Sequence, residues 1–119
     1  ETDEDKDTFS EYAIRDINEM YETVLEMSTY ALSFYDTRDE VWIQQINDKE
    51  NYLDQIEEAA RQRHFKRMAK QECGKGVASS LYIDILGTLE RIGDHVWNIV
   101  KESNEEMRIN AHIQPENQE

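Results

Sequence analysis

Ala13, Ile17, Met20, Val24, Met27, Ala31 and Phe34 recur at intervals that alternate between four residues and three. That rhythm lays them on one face of a long amphipathic helix and cannot serve a strand, whose faces repeat every second residue. A second run holds Trp42, Ile46, Lys49, Leu53, Ile56, Ala60 and His64, and a third holds Leu81, Ile85, Leu89, Ile92, Val96 and Ile99. The runs predict helices over residues 8–36, from residue 42 to short of Cys73, and over residues 78–107. One proline and four glycines leave little punctuation for a many-stranded fold. Helices of about 28 to 30 residues are about 42 to 45 Å long. Short connections favour antiparallel neighbours, so the sequence predicts an all-α, antiparallel three-helix bundle. Gly74 and Gly76 suit the C-cap and turn after the second helix. Arg61, Arg63, Lys66, Arg67 and Lys70 complement the negative end of that helix, or else form a docking patch for an acidic partner.

At 119 residues the chain has room for one core. Its opening, ETDEDKD at residues 1–7, reads as an acidic linker, and with no initiator Met the chain is expected to be cut from a longer one. The bundle is expected over residues 8–109, and NAHIQPENQE, residues 110–119, as a frayed tail. The 27 acidic against 13 basic residues leave a net charge of −14, which repels nucleic acid, free phosphate and anionic lipid and attracts cations. The single cysteine, Cys73, permits no internal disulfide and fits a reducing compartment. No apolar run of about 18 residues offers a membrane span.

Acids one helical turn apart, spaced E-x-x-x-D, occur three times, at Glu1/Asp5, Glu50/Asp54 and Glu90/Asp94. Chance gives about 1.4 such pairs in a chain of this composition, so spacing alone leaves a solvated acidic face as the plain reading. Placement is more informative. At about 100° per residue, Glu90 and Asp94 lie roughly 150° from the centre of the third seam, among Ile83, Leu86, Gly87 and Trp97, a second apolar strip. Glu50 and Asp54 sit about 80° to 120° from the second seam, on a flank where a neighbouring helix can meet them. Acids beside apolar surface are costly unless paired or bound to a metal. Together the two pairs offer four carboxylates, the ligand type that magnesium, calcium, manganese and iron prefer. Gly93, beside Asp94, either leaves room for a metal-bound water or a partner to approach, or admits a bulky side chain of a neighbouring helix.

The remaining candidates carry less. His95 points about 100° away from Asp94 and reads as a core-edge histidine, His64 belongs to the second seam or the basic helix end, and His112 to the tail. GKGVASS lacks the strand and the spacing of a phosphate loop, and Cys73 has no nearby histidine in sequence. No nucleophile–base pair is evident, so the residues predict no enzyme.

LERIGDHVWNIVKE, residues 89–102, resembles the third-helix signature of PhoU-family domains, ERIGDHA-x-N-I. ENYLDQIEEAARQRHFKRM, residues 50–68, fits that family's second-helix pattern of an acid followed by an aliphatic-Asp pair, and the resemblance spans residues 8–107. It implies three-helix bundles, usually in tandem, whose paired E-x-x-x-D motifs bind metal clusters. Glu50, Asp54, Glu90 and Asp94 are then the implied ligands of iron, manganese, magnesium or calcium. A single bundle is more similar to the PhoU-like region at the C-terminus of bacterial sodium-dependent phosphate cotransporters. That implies a cytoplasmic position behind a membrane domain and a regulatory part in phosphate transport. The strip of Ile83, Leu86 and Trp97 is the expected interface, covered by a second copy of the chain or by a neighbouring domain. The residues leave one alternative open, a structural interaction bundle without metal.

Overall fold

The computed structural model describes residues 10–70 and 77–113. The acidic opening with Glu1/Asp5, residues 71–76 with Cys73, Gly74 and Gly76 and the turn expected there, and residues 114–119 lie outside the described residues. Helix α1 (Glu11–Thr37) starts where Ser10 Oγ accepts the Ala13 N–H at 3.1 Å. It stops at Arg38, which adopts the left-handed conformation (φ 60°, ψ 22°) and donates its N–H to the Phe34 carbonyl at 2.7 Å. Asp39 Oδ1 then accepts the Val41 N–H at 3.0 Å and opens α2 (Val41–Ala69). Helix α3 (Val77–Ile113) runs past Met107, where the periodicity of the sequence fades, into the expected tail. Residues 110–113 contain no helix breaker.

Each helix packs against the other two, and among the described residues there is no strand, so the fold is the expected all-α three-helix bundle. Tyr82 Oη donates to Asp16 Oδ2 at 2.8 Å near the start of both α1 and α3, and Tyr35 pairs with Ser103 at 2.8 Å further along both. Those two helices are therefore parallel, with α2 antiparallel to each. Met20, Met27 and Phe34 of α1 and Ile46, Leu53 and Ala60 of α2 are fully buried, so the first two seams form the core as their spacing predicts.

The third seam does so only along one edge, where Leu89 and Val96 pack, partly buried, against the core. Leu81, Ile92 and Ile99 are 47%, 43% and 41% exposed, and the side of α3 that enters the bundle is centred on Tyr82, Leu86, Gly93 and Val100, between the seam and the second apolar strip. Of the expected interface strip, Leu86 is fully buried within its own chain and so cannot face a partner, while Ile83 and Trp97 pack, partly buried, against the same core. Two contacts account for the choice of face. The Tyr82 hydroxyl satisfies the buried Asp16 carboxylate, and a Cβ on Gly93 would overlap Leu53 Cδ2 and stand 3.5 Å from Met27 Sδ. Shape and polar pairing at the closest approach decide which face is buried, not the tally of apolar residues. Gly93 thus admits the side chain of Leu53 from α2, and its space is filled by the core rather than kept for an approaching ligand.

Candidate metal centre

Because α2 and α3 are antiparallel, Glu50 and Asp54, one turn apart on the first, meet Asp94 and Glu90 on the second in reverse order. One carboxylate oxygen from each of these four acids lies within 4.8 Å of all the others. All four residues expected from the sequence are brought together. Glu50 is buried, Glu90 and Asp94 are half-buried and Asp54 is exposed, so the centre is walled by the bundle and open on one side.

The two glutamates are the strained members. Glu50 shares a hydrogen bond with Asp94, and this bond, burial, and the charges of Asp54, Asp94 and Glu90 push its carboxyl up to about 7. Glu90 is also pushed up to about 7, first by burial, then by the Asp94 charge and by a hydrogen bond with Asp54. Each glutamate is thus tied across the helix interface to the aspartate of the other pair, and near neutral pH a proton stands between them. Among the described residues no ion pair reaches any of the four acids: the salt bridges are Lys49–Glu26, Arg61–Glu57, Arg63–Asp16 and Arg108–Glu40. The centre holds concentrated negative charge, relieved where the glutamates share protons with the aspartates.

A hard cation fits this donor set. Two oxygens on opposite sides of calcium stand about 4.6 to 5.2 Å apart, and across magnesium about 4.0 to 4.2 Å. A limit of 4.8 Å admits the larger ion as the side chains stand and the smaller one after a slight closure. The open side at Asp54 leaves room for water to complete six or more oxygens.

Sequence reasoning missed two neighbours of the centre. Glu57 adds its charge to the field that raises Glu90, and it holds the guanidinium of Arg61. Its position was available: Glu50, Asp54 and Glu57 step along one strip of α2 at intervals of four and three. A second polar cluster, in the N-terminal half of α1, was also missed. Asp16, 7% exposed, accepts from Tyr82 Oη and from Arg63 Nη2, each at 2.8 Å. The signal was an acid on the edge of the α1 seam, three residues after Ala13 and four before Met20. His64 is buried beside Tyr82, with ring centroids 4.8 Å apart, and its Nε2 lies 2.9 Å from Ser79 Oγ; burial, and then the Arg67 charge, lower its pKa. His95 is exposed and not a core-edge residue, because the buried face of α3 is turned by about 80° from the expected seam, away from His95. The basic residues at the end of α2 divide their work: Arg61 and Arg63 make ion pairs, and Arg67 lies over the ring of Tyr12.

A family model described as the PhoU domain matches residues 17–103. No curated protein and no solved structure matches the chain.

Proposed function

The chain belongs to the PhoU family, and from that membership and the geometry of the four acids we propose that it is a cation-binding regulatory domain in phosphate homeostasis. The family is regulatory rather than enzymatic. The observation that carries the cation site is the meeting of Glu50, Asp54, Glu90 and Asp94 within 4.8 Å, with no basic partner among the described residues and two carboxyls forced up to about 7. These four residues hold the ion through carboxylate oxygen. A bound cation supplies positive charge that takes over the work of the shared protons, so binding releases protons and tightens as the pH rises through 7. Iron, manganese, magnesium and calcium all suit oxygen donors, and they are the ions to test.

The finer part of the proposal places the domain at the cytoplasmic face of a membrane, as the C-terminal domain of a sodium-dependent phosphate cotransporter. What supports it is the likeness of the second helix, with RQRHFKRM at residues 61–68, to the PhoU-like region of such transporters. At −14, the domain has no attraction for free phosphate without a cation between them, so the regulatory signal enters through the ion or through a partner chain.

The test is elemental analysis of the tag-free protein beside its Asp54→Asn/Asp94→Asn variant, after loading with each ion and desalting, with calorimetric titration of both. Stoichiometric metal in the wild type and its loss in the variant are expected. Equal metal in both, or none in either, overturns the site and leaves an interaction bundle without a cation. Calorimetry of the metal-free protein with phosphate is expected to show no heat of binding.

A further inference from the structure

The exposed edge of the α3 seam, Leu81, Ile92 and Ile99, has a counterpart on α1. Ile14, Tyr21, Leu25 and Leu32 are 48%, 52%, 47% and 70% exposed, and their spacings of seven, four and seven keep them on one stripe. The hydrogen bonds Asp16–Tyr82 and Tyr35–Ser103 join the parallel helices at sequence separations of 66 and 68. Residues separated by 67 therefore stand at the same level, which sets Ile14 beside Leu81, Leu25 beside Ile92 and Leu32 beside Ile99. On α1 the stripe lies beyond the side that carries Tyr35 toward α3, and Glu19 and Glu26, which reach Tyr52 and Lys49 of α2, lie on the opposite flank. The two stripes form one face, on the side of the bundle away from α2.

We propose that this α1–α3 face is a self-association surface and that its occupant is a second copy of the chain. Its size is one reason. The seven exposed side chains sum to about 700 Å² at roughly 200 Å² for a fully exposed large residue, above the few hundred Å² that monomers tolerate. Two copies bury about 1,400 Å² together, within the range of stable complexes. Charge is the other reason. A third of the chain is charged, yet the intervening positions of the stripes, Asn18, Ser28, Ile85 and Thr88, carry none. A face without charge offers nothing for an oppositely charged partner to recognise, whereas it lets two chains of −14 approach with their acids turned outward. A two-fold axis across the face lays α1 of one chain against α3 of the other and makes the patch self-complementary. The acid centre, between α2 and α3 on the other flank, stays open, so this pairing does not depend on the cation.

Like-charged protomers give the test a signature. Sedimentation equilibrium up to about 100 µM should show a particle of twice the 14.1 kDa chain mass, with dimerisation strengthened as salt rises and repulsion is screened. Leu25→Glu/Ile92→Glu should sediment as a monomer with unchanged helical circular dichroism, since both side chains are already half exposed. The cation-site variant Asp54→Asn/Asp94→Asn should remain a dimer. A wild type that stays monomeric at high salt, as it would if another domain or protein covered this face, overturns the proposal. So does a Leu25→Glu/Ile92→Glu variant that still dimerises.

Discussion

The same substitution at two glycines of α3 should move stability in opposite directions. Replacing a helical glycine by alanine gains about 1 kcal/mol of propensity when the new methyl meets no obstacle. At Gly87 it meets none: a Cβ there lies 3.5 Å from Arg91 Nη1 and 4.0 Å from Arg61 Nη2, ordinary contacts with the ends of long side chains. Gly87→Ala should therefore stabilise by about 0.5 to 1 kcal/mol. At Gly93 the methyl would occupy the place of Leu53 Cδ2, with Met27 Sδ at 3.5 Å behind it. Leu53 and Met27 are fully buried, so neither can swing out to solvent, and overpacking costs about 1 to 3 kcal/mol, or more where the backbone must move. Subtracting the propensity gain of about 1 kcal/mol, Gly93→Ala should destabilise by up to about 2 kcal/mol, or more where the backbone must move. The two variants then differ by about 2 kcal/mol, or about 8 °C in midpoint for a domain of this size.

Urea and thermal unfolding at one fixed protein concentration measures the difference, and a coupled change identifies its cause. Leu53→Ala alone removes core methyls at a cost of about 2 to 5 kcal/mol, but in the Gly93→Ala background it also frees the space the new methyl needs. The two changes together should cost less than their sum. The effect should reach the acid centre, since Gly93 adjoins Asp94 and Leu53 adjoins Asp54: spreading α2 from α3 at this level separates the four carboxylates and weakens cation binding in Gly93→Ala but not in Gly87→Ala. If both alanines stabilise alike, or if Leu53→Ala and Gly93→Ala are additive, then Gly93 does not set the distance between these helices.

Two further outcomes follow from buried acids. Glu50 and Glu90 carry carboxyls raised from 4.5 to about 7 in the folded chain, so the folded state binds more protons than the unfolded state between those values. In chelator the stability is full below about pH 4.5 and falls as pH rises to about 7, by about 2 kcal/mol once solvent at the open side is counted, and Asp54→Asn/Asp94→Asn should flatten that slope in thermal melts. A melt that is steeper in the variant refutes the linkage. Tyr82→Phe removes the hydroxyl that Asp16 Oδ2 accepts from and leaves that buried oxygen unpaired there, so urea unfolding should show a loss of about 1 to 2 kcal/mol, against a near-neutral Tyr12→Phe at an exposed site.

The helices, their order and two of the three buried faces could be read from spacing because α1 and α2 each offer the core one continuous apolar stripe among polar residues. The acid pairs could be read for a related reason. Glu90 and Asp94 stand apart from the seam of α3, as their spacing implies; what spacing could not decide was how far the helix turns from that seam toward the acids. Periodicity weighs hydrophobicity and is blind to volume. The face that α3 buries contains a tyrosine and a glycine, Tyr82 and Gly93, whose value depends on Asp16 on α1 and Leu53 on α2, partners that only the fold supplies.

A helix with apolar stripes on opposite sides has surface enough for two partners. In α3 the bundle is centred between the two stripes and turned toward the acids, since Glu50 and Asp54 on α2 can meet Glu90 and Asp94 only if that side faces α2. Turning it inward forces the other stripe, Leu81, Ile92 and Ile99, out to solvent beside the stripe of α1. The acid centre and the exposed apolar face are thus two consequences of one orientation of α3. A chain that kept the fold but gave up the centre could rotate this helix and bury its more apolar side; the cost in exposed apolar surface is what retaining four converging carboxylates requires, and a second copy of the chain removes it.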